Sequence, residues 1–375
     1  MFSLSFTSRF LFVVILMTSM MVYFISTPCA QLLDTYTING VEVDKTAKSA
    51  AAARRLALAE GRQLAFLRLI ERLVPKKEHQ NVQKPKIEPL ERMISGVQIE
   101  SEKNSQVRYI ASLNIEFVAS EVRRYLRGAG VGFAETFSKP ILVLPILRRE
   151  SGDVLWSEMN EWHEAWKKLP KSYSLTPFKI PDADPLLSGL INADQALNGE
   201  QSRINAIASY FGTKGVLLAV ATVKQDRLSS ENIVELVVSR FGTGISDNTE
   251  VRSLRTPIST PMSSFFASAA KRIRDDFSET WKINNQIRFA DRDTIYVTVE
   301  FDSLLEWIDI RTKLEAVAAL EQIDVTRISL DKVLLRLSYF GSPDQLSMGL
   351  SQKNLELKQN NGNWAITSVS GVVPN

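Results

Sequence analysis

Two long apolar runs constrain the fold of this chain more than any other feature. Ile141–Leu147 reads ILVLPIL and Gly215–Val223 reads GVLLAVATV, with almost no polar side chain in either. A strand that is apolar on both faces belongs inside a sheet that is covered on both sides. A third strand is predicted at Ile233–Phe241. Helical patterns separate and follow these strands at Ser157–Lys168, Ser202–Phe211 and Ser263–Lys282. We therefore predict a central α/β domain over residues 139–285.

The residues before these strands predict an α+β domain over 31–138. Its expected order is βαββα, beginning with a strand at Tyr36–Val43 and a helix that Thr46 caps and Pro75 ends. The helix carries a stripe of small residues that would let it lie close to a sheet: Ala50, Ala53, Ala57 and Gly61. The polar segment Pro75–Pro89 is expected to be an exposed loop. A hairpin at 97–117 and a helix at Val118–Arg127 complete the domain.

Residues 286–375 predict a third domain with the order βαββαββ, similar to a ferredoxin-like split unit with an extra strand. Its first helix, expected over Ser303–Leu320, places Trp307, Ile310 and Leu314 on one face. Ser342-Pro343-Asp344-Gln345 has the pattern of a capping box with proline at the first helical position. The expected fold class is therefore a multidomain α+β and α/β protein.

The N-terminal 30 residues predict a secretory signal. Arg9 is the only charge before the apolar stretch Phe10–Ile25, which is short for a membrane span and typical of a signal-peptide core. Cleavage after Ala30 would remove Cys29, the only cysteine, and a cysteine-free chain suits an oxidising periplasm. Two alternatives stay open: lipidation at Cys29, and retention of the segment as an N-terminal membrane anchor.

The charge balance argues against a nucleic-acid partner. The chain has 45 Lys and Arg against 42 Asp and Glu, a formal net charge of +3, and the two signs are interleaved along it. Such a surface lacks the basic stripe that phosphate backbones require.

No motif in the sequence predicts catalysis, a metal or a cofactor. Phosphate-loop, zinc-protease and nucleophile-elbow patterns are missing, and Gly128–Gly132 does not complete a dinucleotide fingerprint. The two histidines, His79 and His163, lie in different predicted domains, and His163 is expected to be a partly exposed helix residue. Asp182 and Asp184 could act as a carboxylate pair. Turn formation beside the neighbouring prolines is the favoured interpretation of both.

A cluster of tryptophans in the central domain has two interpretations. Trp156, Trp162 and Trp166 could line a groove for a sugar or peptide, or they could pack in the core. Core packing is the favoured one.

Five segments together resemble a known family. They are SAAAARRLALAEGRQLAFLRLIERLV (49–74), FVASEVRRYLRGAGVGFAETFSKPILVLPIL (117–147), WSEMNEWHEAWKKL (156–169), FKIPDADP (178–185) and YFGTKGVLLAVAT (210–222). In this order they are similar to a proteobacterial envelope family known only as a domain of unknown function, numbered two thousand and sixty-six. The resemblance covers about residues 35–285. It implies a fold and an envelope location, and it brings no catalytic residues.

Three hypotheses follow for function. The first is a non-enzymatic periplasmic protein that binds or scaffolds other envelope proteins, with the third domain as its partner-binding module. The second is a small-ligand sensor whose site lies between the first two domains. The third is a hydrolase of glycan or peptidoglycan that uses Asp182 and Asp184. A scaffold should show an exposed apolar patch or an unpaired sheet edge, whereas a hydrolase needs both carboxylates in one cleft.

Overall fold

The chain folds as a mixed α/β protein around three separate sheets. The structure is a computed structural model, and it describes residues 34–226, 229–242, 249–289, 292–360 and 362–369. Contacts join the described residues from Thr35 onward into one compact unit. The expectation of a mixed α/β chain is confirmed. The three domain boundaries stay predictions, and the predicted signal lies outside the described residues.

The N-terminal sheet has three antiparallel strands in the order β1-β3-β2. Its main elements follow the order strand–helix–strand–strand–helix, with a short 3₁₀ turn and a short helix, described below, between the first helix and the second strand. They are β1 (Thr37–Thr46), α1 (Ala50–Leu73), β2 (Ile94–Asn104), β3 (Arg108–Phe117) and α3 (Ala119–Gly128).

Helix α1 lies close to this sheet through its small residues. Ala53, Ala57 and Gly61 are buried, and a Cβ on Gly61 would lie 2.5 Å from the Leu113 Cδ1 atom of β3. A methyl group does not fit there without repacking. The small residues therefore let α1 lie close to the sheet, as their spacing predicts.

Two expectations for this region are wrong. Ser49, and not Thr46, caps α1 by accepting a hydrogen bond from the Ala52 backbone N–H. Thr46 is unavailable because β1 continues to it and pairs it with Arg108. The segment after Pro75 is also more than an exposed loop. It forms a 3₁₀ turn (Lys76–Asn81) and the short helix α2 (Ile87–Arg92), whose Leu90 is buried.

The central sheet has the order β5-β4-β7-β8-β9, with β6 also pairing with β4. Strand β4 is parallel to β6 and β7, and the other pairings are antiparallel. The strands are β4 (Ile141–Arg149), β5 (Gly152–Val154), β6 (Phe178–Lys179), β7 (Gly215–Asp226), β8 (Glu231–Phe241) and β9 (Thr249–Pro257). The helices are α4 (Glu161–Lys167), α5 (Ala193–Leu197), α6 (Gln201–Tyr210) and α7 (Met262–Asn284).

Both faces of this sheet are covered, as the apolar runs predict. Ile141 and Val143 of β4 pack into a core with α4 and α7. Leu142 and Leu144 point to the other face and pack with α5 and α6. Because successive strand residues face opposite sides, a continuously apolar strand supplies two cores at once.

The C-terminal sheet has five strands in the order β11-β12-β10-β14-β13. The second strand of the last hairpin, β14, pairs with β10 in parallel, so the extra strand lies inside the sheet. The elements are β10 (Arg292–Glu300), α8 (Leu304–Glu315), β11 (Leu320–Ile328), β12 (Lys332–Phe340), α9 (Pro343–Ser351), β13 (Leu355–Asn360) and β14 (Asn363–Ser368). The predicted capping box is present at Ser342 and Gln345.

The N-terminal and C-terminal sheets share one apolar core, whereas the central sheet has cores of its own. Phe133 and Ile287 form a β-bridge at this junction, and Phe289 lies between Phe133 and Phe340 with ring centroids 5.9 and 5.4 Å away. A half-buried ion pair joins the same junction. Arg123 donates two hydrogen bonds to Glu135 and a third to the Ala316 carbonyl.

Candidate functional site

The two candidate catalytic carboxylates each have a structural role. Asp182 is exposed and forms an ion pair with Lys167 at 2.7 Å, and the hydrogen bond from that lysine lowers the pKa of Asp182. Asp184 accepts a hydrogen bond from the Leu186 backbone N–H at 2.9 Å and caps the 3₁₀ turn Pro185–Gly189. The Asp184 contact is that of a turn-forming aspartate, whereas the Asp182 contact is an exposed ion pair.

His163 is fully buried, so the expectation of a partly exposed residue is wrong. Helix α4 packs this face against the sheet, and Asn160 caps the helix through the His163 backbone N–H. His163 Nε2 lies 2.8 Å from the Pro181 carbonyl and must carry the proton, because a carbonyl only accepts. Burial lowers the pKa of the ring. His79 instead bonds the Val74 carbonyl. The described residues contain no group of three or more side chains placed to hold a metal ion.

The tryptophans of the central region pack in its cores, as the favoured interpretation predicts. Trp162 and Trp166 meet edge to face at 5.7 Å, and both are buried. The Trp162 indole donates to the Ala219 carbonyl of β7, and the Trp156 indole donates to the Ile191 carbonyl. Their surfaces are therefore not available to line a groove.

A polar cleft lies between the N-terminal and central sheets. We call it the basic cleft, and its volume is about 430 Å³. It is lined by the end of α1, the following 3₁₀ turn, the loop after α4 and one face of α7. The lining residues are Arg68, Glu71, Arg72, Lys76, His79, Lys171, Ser172, Tyr173, Ser174, Lys271, Arg274, Asp275, Asp276, Ser278, Glu279 and Lys282.

Cations predominate in the basic cleft. Seven Lys and Arg side chains face four carboxylates, a formal excess of three positive charges with His79 counted as neutral. One of the carboxylates, Asp276, is bound at 2.5 Å by Arg252, which lies outside the cleft lining.

The deepest cations are held by backbone carbonyls. Lys282, 7% exposed, donates to the Glu71 and Val74 carbonyls at 3.0 and 2.8 Å and pairs with Glu279. Arg274, 8% exposed, donates to the Pro170 carbonyl at 2.7 Å. Arg274 also pairs with Asp275 at 3.4 Å, so a carbonyl and a neighbouring carboxylate fix each of these two cations in place.

Two arginines from α1 complete the walls. Arg68 donates to the Tyr173 hydroxyl at 2.9 Å and stacks over the ring of Tyr173, and Arg72 donates to the Tyr173, Thr35 and Thr37 carbonyls. Residues from α1 thereby hold the loop that follows α4. These hydrogen bonds join the walls of the cleft to each other, so the cleft is preformed.

A second, larger cavity of about 750 Å³ lies beside α2 and α3. Both acidic and basic side chains line it, and Arg124 there already donates two hydrogen bonds to Glu121. It has no concentration of like charge.

The C-terminal region carries exposed apolar side chains at one end of its sheet. We call this surface the apolar end. Its residues are Leu304, Leu305 and Ile308 of α8, and Ile328 and Leu330 at the end of β11. Leu330 is 100% exposed and Leu305 is 79% exposed. The Phe301 backbone N–H donates to the Asp331 carbonyl at 3.0 Å, which places the turn after β11 beside the start of α8.

Strand β11 is also an edge strand. Among the described strands it pairs only with β12, and the pairing has irregularities between Leu320 and Gln322 and between Val325 and Arg327. Irregular edges resist the addition of another strand. The apolar side chains at the end of β11, more than its open backbone groups, are therefore the feature suited to contact.

The sequence alone gives only a partial indication of the basic cleft. The cleft residues of α7 recur at Lys271, Arg274, Ser278 and Lys282, a helical spacing that the sequence shows. The sequence does not show that Arg72 and Lys171, from two other elements, face them.

No helix among the described residues has both the length and the apolar character that a membrane span requires.

Comparisons with known proteins assign no family. No family model matches the chain, and no curated protein matches it. A solved structure, a dodecamer of a PelC variant from Paraburkholderia phytofirmans, matches 37% of this chain and 88% of its own, at 11% identity and a TM-score of 0.23. A likeness this low carries no argument about fold or function.

Proposed function

We propose that this chain is a non-enzymatic protein of the bacterial cell envelope that binds other envelope proteins through its C-terminal region. The apolar end is the observation that carries the proposal. Five large apolar side chains exposed at one end of one sheet are more than the isolated exposed residues that are ordinary on a soluble protein.

Charge around the apolar end favours a protein partner over a membrane surface. Four carboxylates, Glu300, Asp302, Glu306 and Asp331, lie close to its residues in the sequence, together with two cations, Arg327 and Lys332. An anionic bilayer would repel this excess of negative charge. The partner that fits is a protein with an apolar face and a basic rim.

We also propose an envelope location and a division into three domains at 138/139 and 285/286. The apolar stretch Phe10–Ile25 supports export, and the resemblance over residues 35–285 supports membership in the envelope family numbered two thousand and sixty-six. A fusion of residues 1–40 to a reporter that works only in the periplasm should be active. A mature N-terminus near Gln31 would identify a cleaved signal, and an intact N-terminus on membrane-extracted protein would identify an anchor.

Site-specific photo-crosslinking in intact cells tests the partner surface. A crosslinking residue at Leu305 or Leu330 should give one discrete protein adduct. The matched control is Leu186 of the central region, which is 84% exposed and lies outside the apolar end. The adduct should disappear when Ile328→Asp is introduced. An adduct with lipid or with a second copy of the chain, or the same adduct from Leu186, would overturn the proposal.

A further inference from the structure

We propose that the basic cleft binds a small molecule that carries a phosphate group. The proposal concerns a different surface from the apolar end and does not depend on it.

The first observation that supports this proposal is that two of the cations in the cleft are buried. Arg274 and Lys282 form a buried cationic floor, and their donors are oriented by the Pro170, Glu71 and Val74 carbonyls. Burial weakens solvent screening, so a fixed charge there acts on a ligand more strongly than an exposed one. Arg274 is paired with Asp275 and Lys282 with Glu279, so the net positive charge of the cleft comes from its other cations.

The second support is the unpaired charge at the mouth. Lys76 and Lys171 line the cleft and are exposed. Within the described ranges neither side chain has an ion pair or hydrogen bond, although many other surface cations of the chain are paired. Two free ammonium groups above a cationic floor provide several point charges for one multiply charged group.

The third support is a set of hydroxyl groups at the wall. Ser174 Oγ lies 2.8 Å from Ser278 Oγ and 2.7 Å from Thr176 Oγ1. The Ser278 hydroxyl donates to the Arg274 carbonyl at 2.9 Å, and a hydroxyl can rotate away from such a partner to donate to a phosphate oxygen. Ser278 belongs to the same face of α7 as Arg274 and Lys282, so hydroxyl and cation donors approach the cleft from one helix.

The size and shape of the site limit the ligand. A cleft of about 430 Å³ falls in the range that holds a small molecule. A nucleic acid is disfavoured, because the cations are concentrated in a concave junction that also contains Glu71, Asp275 and Glu279. The shared chemistry is a phosphate ester, which could come from a soluble metabolite or from a lipid headgroup.

Calorimetric titration of the purified full chain with glycerol phosphate at low salt tests the proposal. We expect saturable binding with one site per chain, which weakens as salt is raised because the mouth charges are exposed. Succinate, a dianion without phosphorus, is the comparison ligand. Equal binding of succinate would overturn the assignment to phosphate.

A double variant tests the location of the site. Lys76→Glu with Lys171→Glu should weaken binding about tenfold or more, equivalent to about 1.4 kcal/mol. The matched control is Lys77→Glu with Lys139→Glu, which makes the same change in net charge at exposed lysines outside the cleft lining. Equal weakening in the control, or no saturable binding by the unaltered chain to ester or vesicles, would overturn the proposal.

Vesicles distinguish the two sources. If vesicles that contain phosphatidylglycerol bind, vesicles of phosphatidylcholine alone do not, and glycerol phosphate is inert, then the ligand is a lipid headgroup. If the soluble ester binds and the vesicles do not, then the ligand is a soluble phosphate ester. The Lys76 and Lys171 double variant should weaken whichever binding is seen, about tenfold or more.

Discussion

The N-terminal sheet contacts its two neighbours through different chemistry. Towards the C-terminal sheet it shares one apolar core, with Phe133, Ile287 and Phe289 at the junction. Towards the central sheet the contacts described above are hydrogen bonds from Arg72 and Lys282 to backbone carbonyls and from Arg68 to the Tyr173 hydroxyl, and the apolar cores stay separate. We call these the apolar junction and the polar junction.

The difference explains where an open site can exist. Apolar surfaces gain free energy by excluding water and pack without space between them. Directional hydrogen bonds hold two surfaces at fixed points and leave wet space between those points. The basic cleft lies at the polar junction for this reason. We expect the two sheets at the apolar junction to unfold together. The unfolding of the two sheets at the polar junction should be less strongly coupled.

The largest expected effect comes from the apolar junction. Phe133→Ala should lower the free energy of unfolding by about 3–5 kcal/mol, because Phe133 is buried between two sheets and the variant leaves a cavity. Denaturant unfolding measures the loss, and hydrogen exchange should show both the N-terminal and C-terminal sheets losing protection together.

The exposed ring of Tyr210 provides the control for this prediction. Tyr210→Ala should change the unfolding free energy by less than about 0.5 kcal/mol. If Phe133→Ala loosened only one of the two sheets, the shared core would not couple them.

A smaller effect is expected at the polar junction. Lys282→Met should lower the free energy of unfolding by about 2 kcal/mol, because two carbonyls, of Glu71 and Val74, lose their donor while the apolar stem is kept. Lys271→Met is the matched control on the same helix, since Lys271 is exposed and pairs only with exposed Asp275. A loss at Lys271 as large as that at Lys282 would show that helix charge, and not the carbonyl contacts, matters.

The sequence predicts the interior of each sheet better than the junctions between sheets. Ile141–Leu147 and Gly215–Val223 are found as central strands because apolar continuity is a local signal. Strand β9 is not predicted, because it alternates charged residues such as Glu250 and Arg252 at a sheet edge. Neither junction has a local signal, since each unites side chains that are far apart in the sequence.

His163 shows the same limit within one helix. Its neighbours Trp162 and Glu164 do not indicate which face of α4 turns inward, and the short helix offers few turns from which to read a period. The shared core of the first and third predicted domains has no sequence signal either, because Phe133 and Phe340 belong to the same cluster only after both sheets have formed.

The smallest effect is a dependence of stability on pH that should separate the two junctions. Burial lowers the pKa of His163 in the folded chain, so below the ordinary histidine value near 6.5 the unfolded chain binds a proton that the folded chain does not. Stability should therefore be complete above that pH and fall as the pH drops below it, by at most about 1.4 kcal/mol per pH unit. Lys167, Glu164 and Asp182 are the charged groups that act on the ring.

His163 lies in the central region, so acid should loosen that region first if the polar junction couples weakly. Hydrogen exchange at about pH 5.5 and about pH 7.5, on either side of the ordinary histidine pKa, should show protection falling around α4 and β4 before it falls in the N-terminal sheet. His163→Gln retains a side-chain donor for the Pro181 carbonyl but does not titrate, and it should remove this part of the slope. Simultaneous loss of protection in all three sheets would mean that the polar junction couples its neighbours as tightly as the apolar one does. An unchanged slope in His163→Gln would mean that other groups carry the pH dependence.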